Sequence, residues 1–311
     1  MRIVSKIFLM NLSILMMFPI LACENKDVGH SNPLSESGLN ITVMATIPMV
    51  SHWTNMVSGT RVNVDSIMPH SATSHSYHPG AKEFAKISES DLIFAIGLKY
   101  EEAWLGKLLD SYPDIKLIEL GEVVSPIRPL IDGNYHDQND GRYDPHFWFD
   151  PMRVSKAVIE IERILSRIDP EGSEYYESNA AKYLEELSDL DKFVNSETNK
   201  ISNPVMTEHD SLGYLSDRYG LEILRAIIPK VNPEVGSTPK DLMSAIKLIS
   251  DRGVKVIFLE DEINSGVADT VSNETGIDLV SGLSVEALTS GQSYVDFMKK
   301  NIEILVSNLG R

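Results

Sequence analysis

Apolar residues recur every three or four positions between Glu171 and Ile201, where Tyr176, Ala180, Leu184, Leu187, Leu190, Phe193 and Val194 trace one face of a helix. A helix of about 30 residues is roughly 45 Å long, enough to brace two lobes. The same period runs from Met152 to Ile168, and Asp169-Pro170-Glu171-Gly172 separates the two stretches. The spacing predicts connecting helices over 152–201, a stiff element rather than a hinge of strands.

On either side the pattern is different. Asn40–Ala45, Val62–Met68, Asp91–Ile96 and Lys116–Leu120 are short apolar or alternating runs, with helix-like stretches near Pro48–Ser58, Gly80–Ser88 and Tyr100–Leu109 between them. After residue 201 the rhythm repeats, with strands expected at Pro204–Thr207, Leu221–Ile227, Val254–Leu259 and Asp278–Val280. Strands alternating with helices imply parallel sheets, so the chain reads as an α/β protein with lobes at 39–151 and 202–311.

The first 22 residues stand apart. Arg2 and Lys6 precede an apolar run from Ile7 to Ala22, shorter than the roughly 20 residues of a membrane span and laid out like a secretory signal. Export is expected. The run ends in ILAC, which resembles a bacterial lipobox and makes Cys23 the expected site of lipidation. Cys23 is the only cysteine, so no internal disulfide is available. Residues 24–38 are polar and rich in Asn, Pro, Ser and Gly, the composition of a flexible tether. The protein is expected at the outer face of a bacterial membrane or in the periplasm.

Loss of Arg2 and Lys6 with the leader changes the formal net charge from −17 to about −19. A surface of that sign repels nucleic acid, which is discarded as a partner, and mildly concentrates cations.

Three histidines follow strand-like runs by a loop: His75 in SHSYHP, His146 in DPHFWFDP and His209 in TEHDSLGYL. A single histidine is more often structural than ligating. Three of them, each past the carboxyl end of a candidate strand where ligands bind in open α/β sheets, can meet in a cleft. Imidazoles joined by one carboxylate form a set typical of Zn²⁺. The Asp-Pro corners around His146, backed by Phe147, Trp148 and Phe149, suit a rigidly held ligand.

PHSATSHSYHPGAKEF, DLIFAIGLKYEEAWLGKL, DPHFWFDP, HDSLGYLSDRYGL, STPKDL and GQSYVDFMKKNIEIL, in this order, resemble the metal-binding lipoproteins and periplasmic proteins of ABC importers for zinc and manganese, the ZnuA–TroA-like solute-binding proteins. The resemblance covers the chain from about Asn40 to its end. It implies two (β/α)4 lobes with parallel sheets joined by a long rigid α-helix, a metal site in the interlobe cleft, and no catalysis. It further implies a monomer that delivers its ion to a membrane permease driven by a cytoplasmic ATPase. The ligands implied are His75, His146, His209 and Glu286, the last standing in VEAL where the family usually has Asp. Zn²⁺ is the expected cargo, since imidazole at three positions suits the softer ion. The alternatives are a manganese- or iron-binding member of the family, or a metal-binding adhesin.

Each position has rivals. His70 and His78 flank His75, and spacing alone does not choose among them; His78 also replaces a commonly acidic residue. Glu260, Asp261 and Glu262, after the strand VKVIFL, compete with Glu286, and water is another candidate for the fourth place. His136, Asp137 and Asp140 lie where zinc-selective relatives carry a longer histidine-rich loop. A three-histidine zinc hydrolase is the enzymatic alternative, though HExxH, GxSxG and phosphate-loop motifs are all missing from the sequence. Ligation needs neutral imidazoles, so affinity is expected to fall as pH drops through about 6.5.

Overall fold

Four short runs build the first sheet. β1 (Thr42–Ala45), β2 (Asn63–Ser66), β3 (Leu92–Ala95) and β4 (Lys116–Glu119) pair in parallel in the order β2-β1-β3-β4. The computed structural model describes residues 41–70, 72, 77–131, 134–135, 143–224, 226–228, 238–261 and 266–310, all within one compact unit, Gly38–Arg311. The expected leader and tether, with Cys23, lie outside the described residues. β3 is buried at every position and the outer strands only in part, as a sheet covered on both faces requires of its centre.

Helices α1 (Pro48–Ser58), α2 (Ala81–Ser88) and α3 (Leu105–Ser111) connect these strands. α1 has the predicted bounds: Pro48 presets the first turn, and Gly59, at φ 54°, ends the helix. α3 begins later than the predicted Tyr100. Gly97, Leu98 and Lys99 all have positive φ, at 75°, 54° and 68°, and the chain continues in turns as far as Trp104, whose φ of -135° is not helical. Glu101 holds this turn, accepting from the Ile96 and Gly97 amides at 2.8 and 3.1 Å and from the Thr46 hydroxyl at 2.6 Å. Its carboxylate therefore ties the loop after β1 to the loop after β3, at the crevice where the strand order reverses. Burial pushes its pKa up to about 7.

A small antiparallel hairpin that the sequence did not predict, β5 (Leu130–Ile131) with β6 (Asn134–Tyr135), follows β4. A 3-10 turn at Phe147–Phe149 leads into α4 (Pro151–Ile168), and a second at Pro170–Gly172 leads into α5 (Ser173–Thr198). The 26 residues of α5 span roughly 39 Å. Its buried face carries Tyr176, Ala180, Tyr183, Leu187, Leu190 and Val194 and packs on α4, α1 and α9.

The second half contributes α6 (Gly213–Tyr219), α7 (Pro239–Arg252), β7 (Val256–Glu260), α8 (Val267–Thr275), β8 (Asp278–Leu283) and α9 (Tyr294–Leu309). β7 and β8 pair in parallel. The expected strands at 204–207 and 221–227 are present as extended stretches joined by single parallel bridges, Val205 to Ile223, Thr207 to Phe258 and His209 to Ile228. Together they form a second parallel layer with its own core around Met206, Ile227, Ile257 and Val271. The largest core is shared: Trp53, Phe147, Tyr176, Leu187, Val205, Tyr294 and Leu305 belong to one continuous cluster. Among the described residues, no helix is long and apolar enough to cross a membrane.

Candidate metal centre

The turn Asp144–Asp150 is wound tightly by its own carboxylates. Asp144 Oδ1 accepts the backbone N–H of His146 at 2.9 Å, the short loop that an Asp two residues ahead favours, and lies 2.7 Å from Nδ1 of the same histidine. Asp150 caps α4 through the amides of Met152 and Arg153. His146 is fully buried, its ring edge-on to Trp148 at 5.2 Å and to Tyr100 at 6.3 Å.

His209 sits where the extended stretch after Thr207 ends. Its amide donates to Glu260 Oε1 at 3.1 Å, and its Nδ1 meets Glu260 Oε2 in a short contact. Glu260 is the last residue of β7, where the pairing with β8 shifts register by one extra β8 residue.

Glu286 is buried in the segment after β8, which is fastened at three points. The Asn301 amide accepts from the Ser284 N–H at 3.0 Å and donates to the Ser284 carbonyl at 2.6 Å. The Trp148 indole donates to the Val285 carbonyl at 2.7 Å, and His70 Nδ1 donates to the Leu288 carbonyl at 2.7 Å.

These three segments converge. Nε2 of His146 and Nε2 of His209 are 3.4 Å apart, and Glu286 Oε1 lies 4.0 and 3.8 Å from them. One ligand atom from each residue falls within 4.8 Å of the others. With each Nδ1–H directed at a carboxylate, both Nε2 atoms turn lone pairs toward the same point. Asp144, Glu260 and Glu286 place three further acid groups in the same buried volume. Buried negative charge is costly without a compensating cation, so the arrangement favours a positive ion between the rings.

A family model described as "Zinc-uptake complex component A periplasmic" (ZnuA) matches residues 43–308. The chain belongs to this family. Two similar members are the "Manganese-binding lipoprotein MntA" of Halalkalibacterium halodurans, 26% identical over 93% of this chain and 94% of its own, and the "High-affinity zinc uptake system protein ZnuA" of Bacillus subtilis, 29% identical over 93% of each. Among solved structures, the periplasmic zinc-binding protein TroA of Treponema pallidum is similar, with a TM-score of 0.79 at 21% identity, covering 88% of this chain and all of that one. That likeness concerns the fold: an α/β architecture of two lobes joined by a helix.

Of the residues expected at the site, His146, His209 and Glu286 come together. His75 lies outside the described residues, as do Glu262, His136, Asp137 and Asp140. Glu260, a rival of Glu286, orients His209 instead. His70 holds the Glu286 segment, and His78 is exposed on the rim of an open cleft. The orienting roles of Asp144 and Glu260 are additions of the structure. Asp144 had a local signal, its place two residues before His146; Glu260 was marked by its place after the strand VKVIFL, but as a ligand, and nothing local pointed to His209, 51 residues away.

Proposed function

We propose that this chain is an extracytoplasmic solute-binding protein of an ABC importer that captures Zn²⁺ and delivers it to a membrane permease driven by a cytoplasmic ATPase. The observation that carries the reading is the facing pair of Nε2 atoms, each oriented by a carboxylate on its opposite nitrogen, as is usual for metal-ligating imidazoles. His146, His209 and Glu286 are three of the ligands, and His75 is the proposed fourth. The ion is cargo, and no chemical step is assigned to it.

The ligand set supports zinc, since imidazole suits the softer ion. Two nitrogens about 2.0–2.1 Å from one zinc ion lie ~3.3 Å apart at the tetrahedral angle. The 3.4 Å between the imidazole nitrogens lets both reach one ion. The carboxylate edges, at 4.0 and 3.8 Å, are longer, so Glu286 closes on the ion by about half an ångström. Manganese is the second reading, favoured by the relative MntA, whose name gives manganese as its ion.

The remaining parts follow from the same reading. Residues 1–22 are the signal, Cys23 carries the lipid, and 24–38 tether the body to the membrane. The lobes are 39–151 and 202–311, with 152–201 between them, and the protein works as a monomer. Competitive titration of the stripped mature protein with Zn²⁺ and Mn²⁺ tests the function. Zinc is expected to displace manganese at equal concentration; failure to bind either ion overturns the reading.

A further inference from the structure

The spacing of the two imidazoles needs a cause outside the rings, because His146 and His209 lie on different lobes. Tyr214 stands on α6, five residues after His209, and is fully buried. Its hydroxyl donates to the Asp144 carbonyl oxygen at 2.6 Å and accepts from the Ile127 amide at 3.3 Å. Asp144 is the residue whose carboxylate holds Nδ1 of His146. One phenol thus joins the element that follows one histidine to the turn that carries the other. The ring is fixed from behind: the Arg153 guanidinium lies 4.8 Å over its centroid and is itself held by Asp150 at 2.6 Å and Asp217 at 2.9 Å.

We propose that Tyr214 is a positioning residue that sets the separation of His146 Nε2 and His209 Nε2, and so the preference of the site for a tetrahedral ion, before any ion arrives. The proposal rests on the metal-carrier reading. A bond of this kind does not touch the cargo. It limits how far the Asp144–Asp150 turn can slide against α6, and a slide changes the nitrogen–nitrogen edge directly. A tetrahedral ion with short bonds needs that edge held near ~3.3 Å, so loosening the bond erodes selection for zinc more than binding in general.

Tyr219 supplies the control. It lies on the same helix, and its hydroxyl donates to Asp191 at 2.9 Å rather than to the turn that carries His146. Tyr214→Phe and Tyr219→Phe each delete one hydroxyl from α6. Zn²⁺ and Mn²⁺ affinities are measured for both variants and the wild type, together with the visible spectrum of the Co²⁺-loaded forms, which reports coordination geometry. Tyr214→Phe is expected to weaken Zn²⁺ binding about 10-fold, to leave Mn²⁺ binding nearly unchanged, and to weaken the intense tetrahedral bands of Co²⁺. Tyr219→Phe is expected to match the wild type in all three. A wild-type Zn²⁺/Mn²⁺ ratio and Co²⁺ spectrum in Tyr214→Phe overturn the proposal alone, as does an equal change in Tyr219→Phe. A wild-type protein that binds none of the three ions overturns the carrier reading and this inference together.

Discussion

The indole N–H of Trp148 donates to the carbonyl oxygen of Val285 at 2.7 Å, so the turn that carries His146 is bonded to the residue just before Glu286. The same turn is held at its Trp148 carbonyl by the Tyr294 hydroxyl of α9, at 2.5 Å. Two lobes joined through buried bonds at the site itself, and through one continuous core, have little freedom to open.

Small-angle scattering of the metal-free and zinc-loaded protein is therefore expected to give radii of gyration that agree within about 1 Å, the scale of loop and helix shifts. A large domain rotation between the two curves contradicts the interlobe bonding described above.

Substitution of the proposed ligands separates them from the groups that orient them. His146→Ala and His209→Ala are expected to lower zinc affinity by about 100-fold or more, whereas Asp144→Asn and Glu260→Gln, which keep the shape and remove the charge, lower it by about 10- to 100-fold. Isothermal titration of the four variants checks the order. Glu260→Gln binding as tightly as the wild type removes Glu260 from the site.

Glu101 makes stability depend on pH. Its folded pKa of about 7 exceeds the ordinary value of 4.5 because burial disfavours the charge. The folded state therefore holds the proton more tightly than the unfolded chain. This contribution is most favourable below pH 4.5, declines as pH rises to about 7, and is level above that. Over the interval the loss is about 3 kcal/mol. Glu101→Gln is expected to flatten that part of the curve in urea unfolding series; parallel curves for variant and wild type rule the effect out.

Asp169 anchors the start of the long helix. It bonds Arg61 Nη2 at 3.0 Å and the Tyr176 hydroxyl at 2.7 Å, and Arg61 holds its carboxyl below the usual range. Stability from this group is present above the ordinary carboxylate pKa and is lost as pH falls through the depressed one. Asp169→Ala is expected to cost about 2 kcal/mol and to lower the melting temperature by about 4–8 °C without changing metal affinity. Calorimetry with a parallel zinc titration tests both halves.

Legibility in the sequence followed the range of the interactions. The β1 and β3 runs and the bounds of α1 were readable because a fully buried strand is a continuous apolar stretch and Pro48 and Gly59 mark a helix locally. The turn before α3 was hidden, since Glu101 ties it to Thr46, 55 residues earlier. The stretches at 204–207 and 221–227 look like strands in sequence but are paired only by single bridges. At the site, the histidines were visible as residue types after strands, and the family likeness selected Glu286. The assignment of Glu260 as an orienting group was not accessible, because its contact with His209 joins segments 51 residues apart.

The continuity of the core across α5 bears on how the molecule comes apart. Tyr176, Leu187 and Val194 touch the same apolar mass as Trp53 and Leu305, so neither half keeps a closed interior if the gene is divided near residue 201. Fragments made that way would be sticky alone and would recover order only on meeting each other, which makes the intact polypeptide a single melting unit despite its two separate parallel sheets.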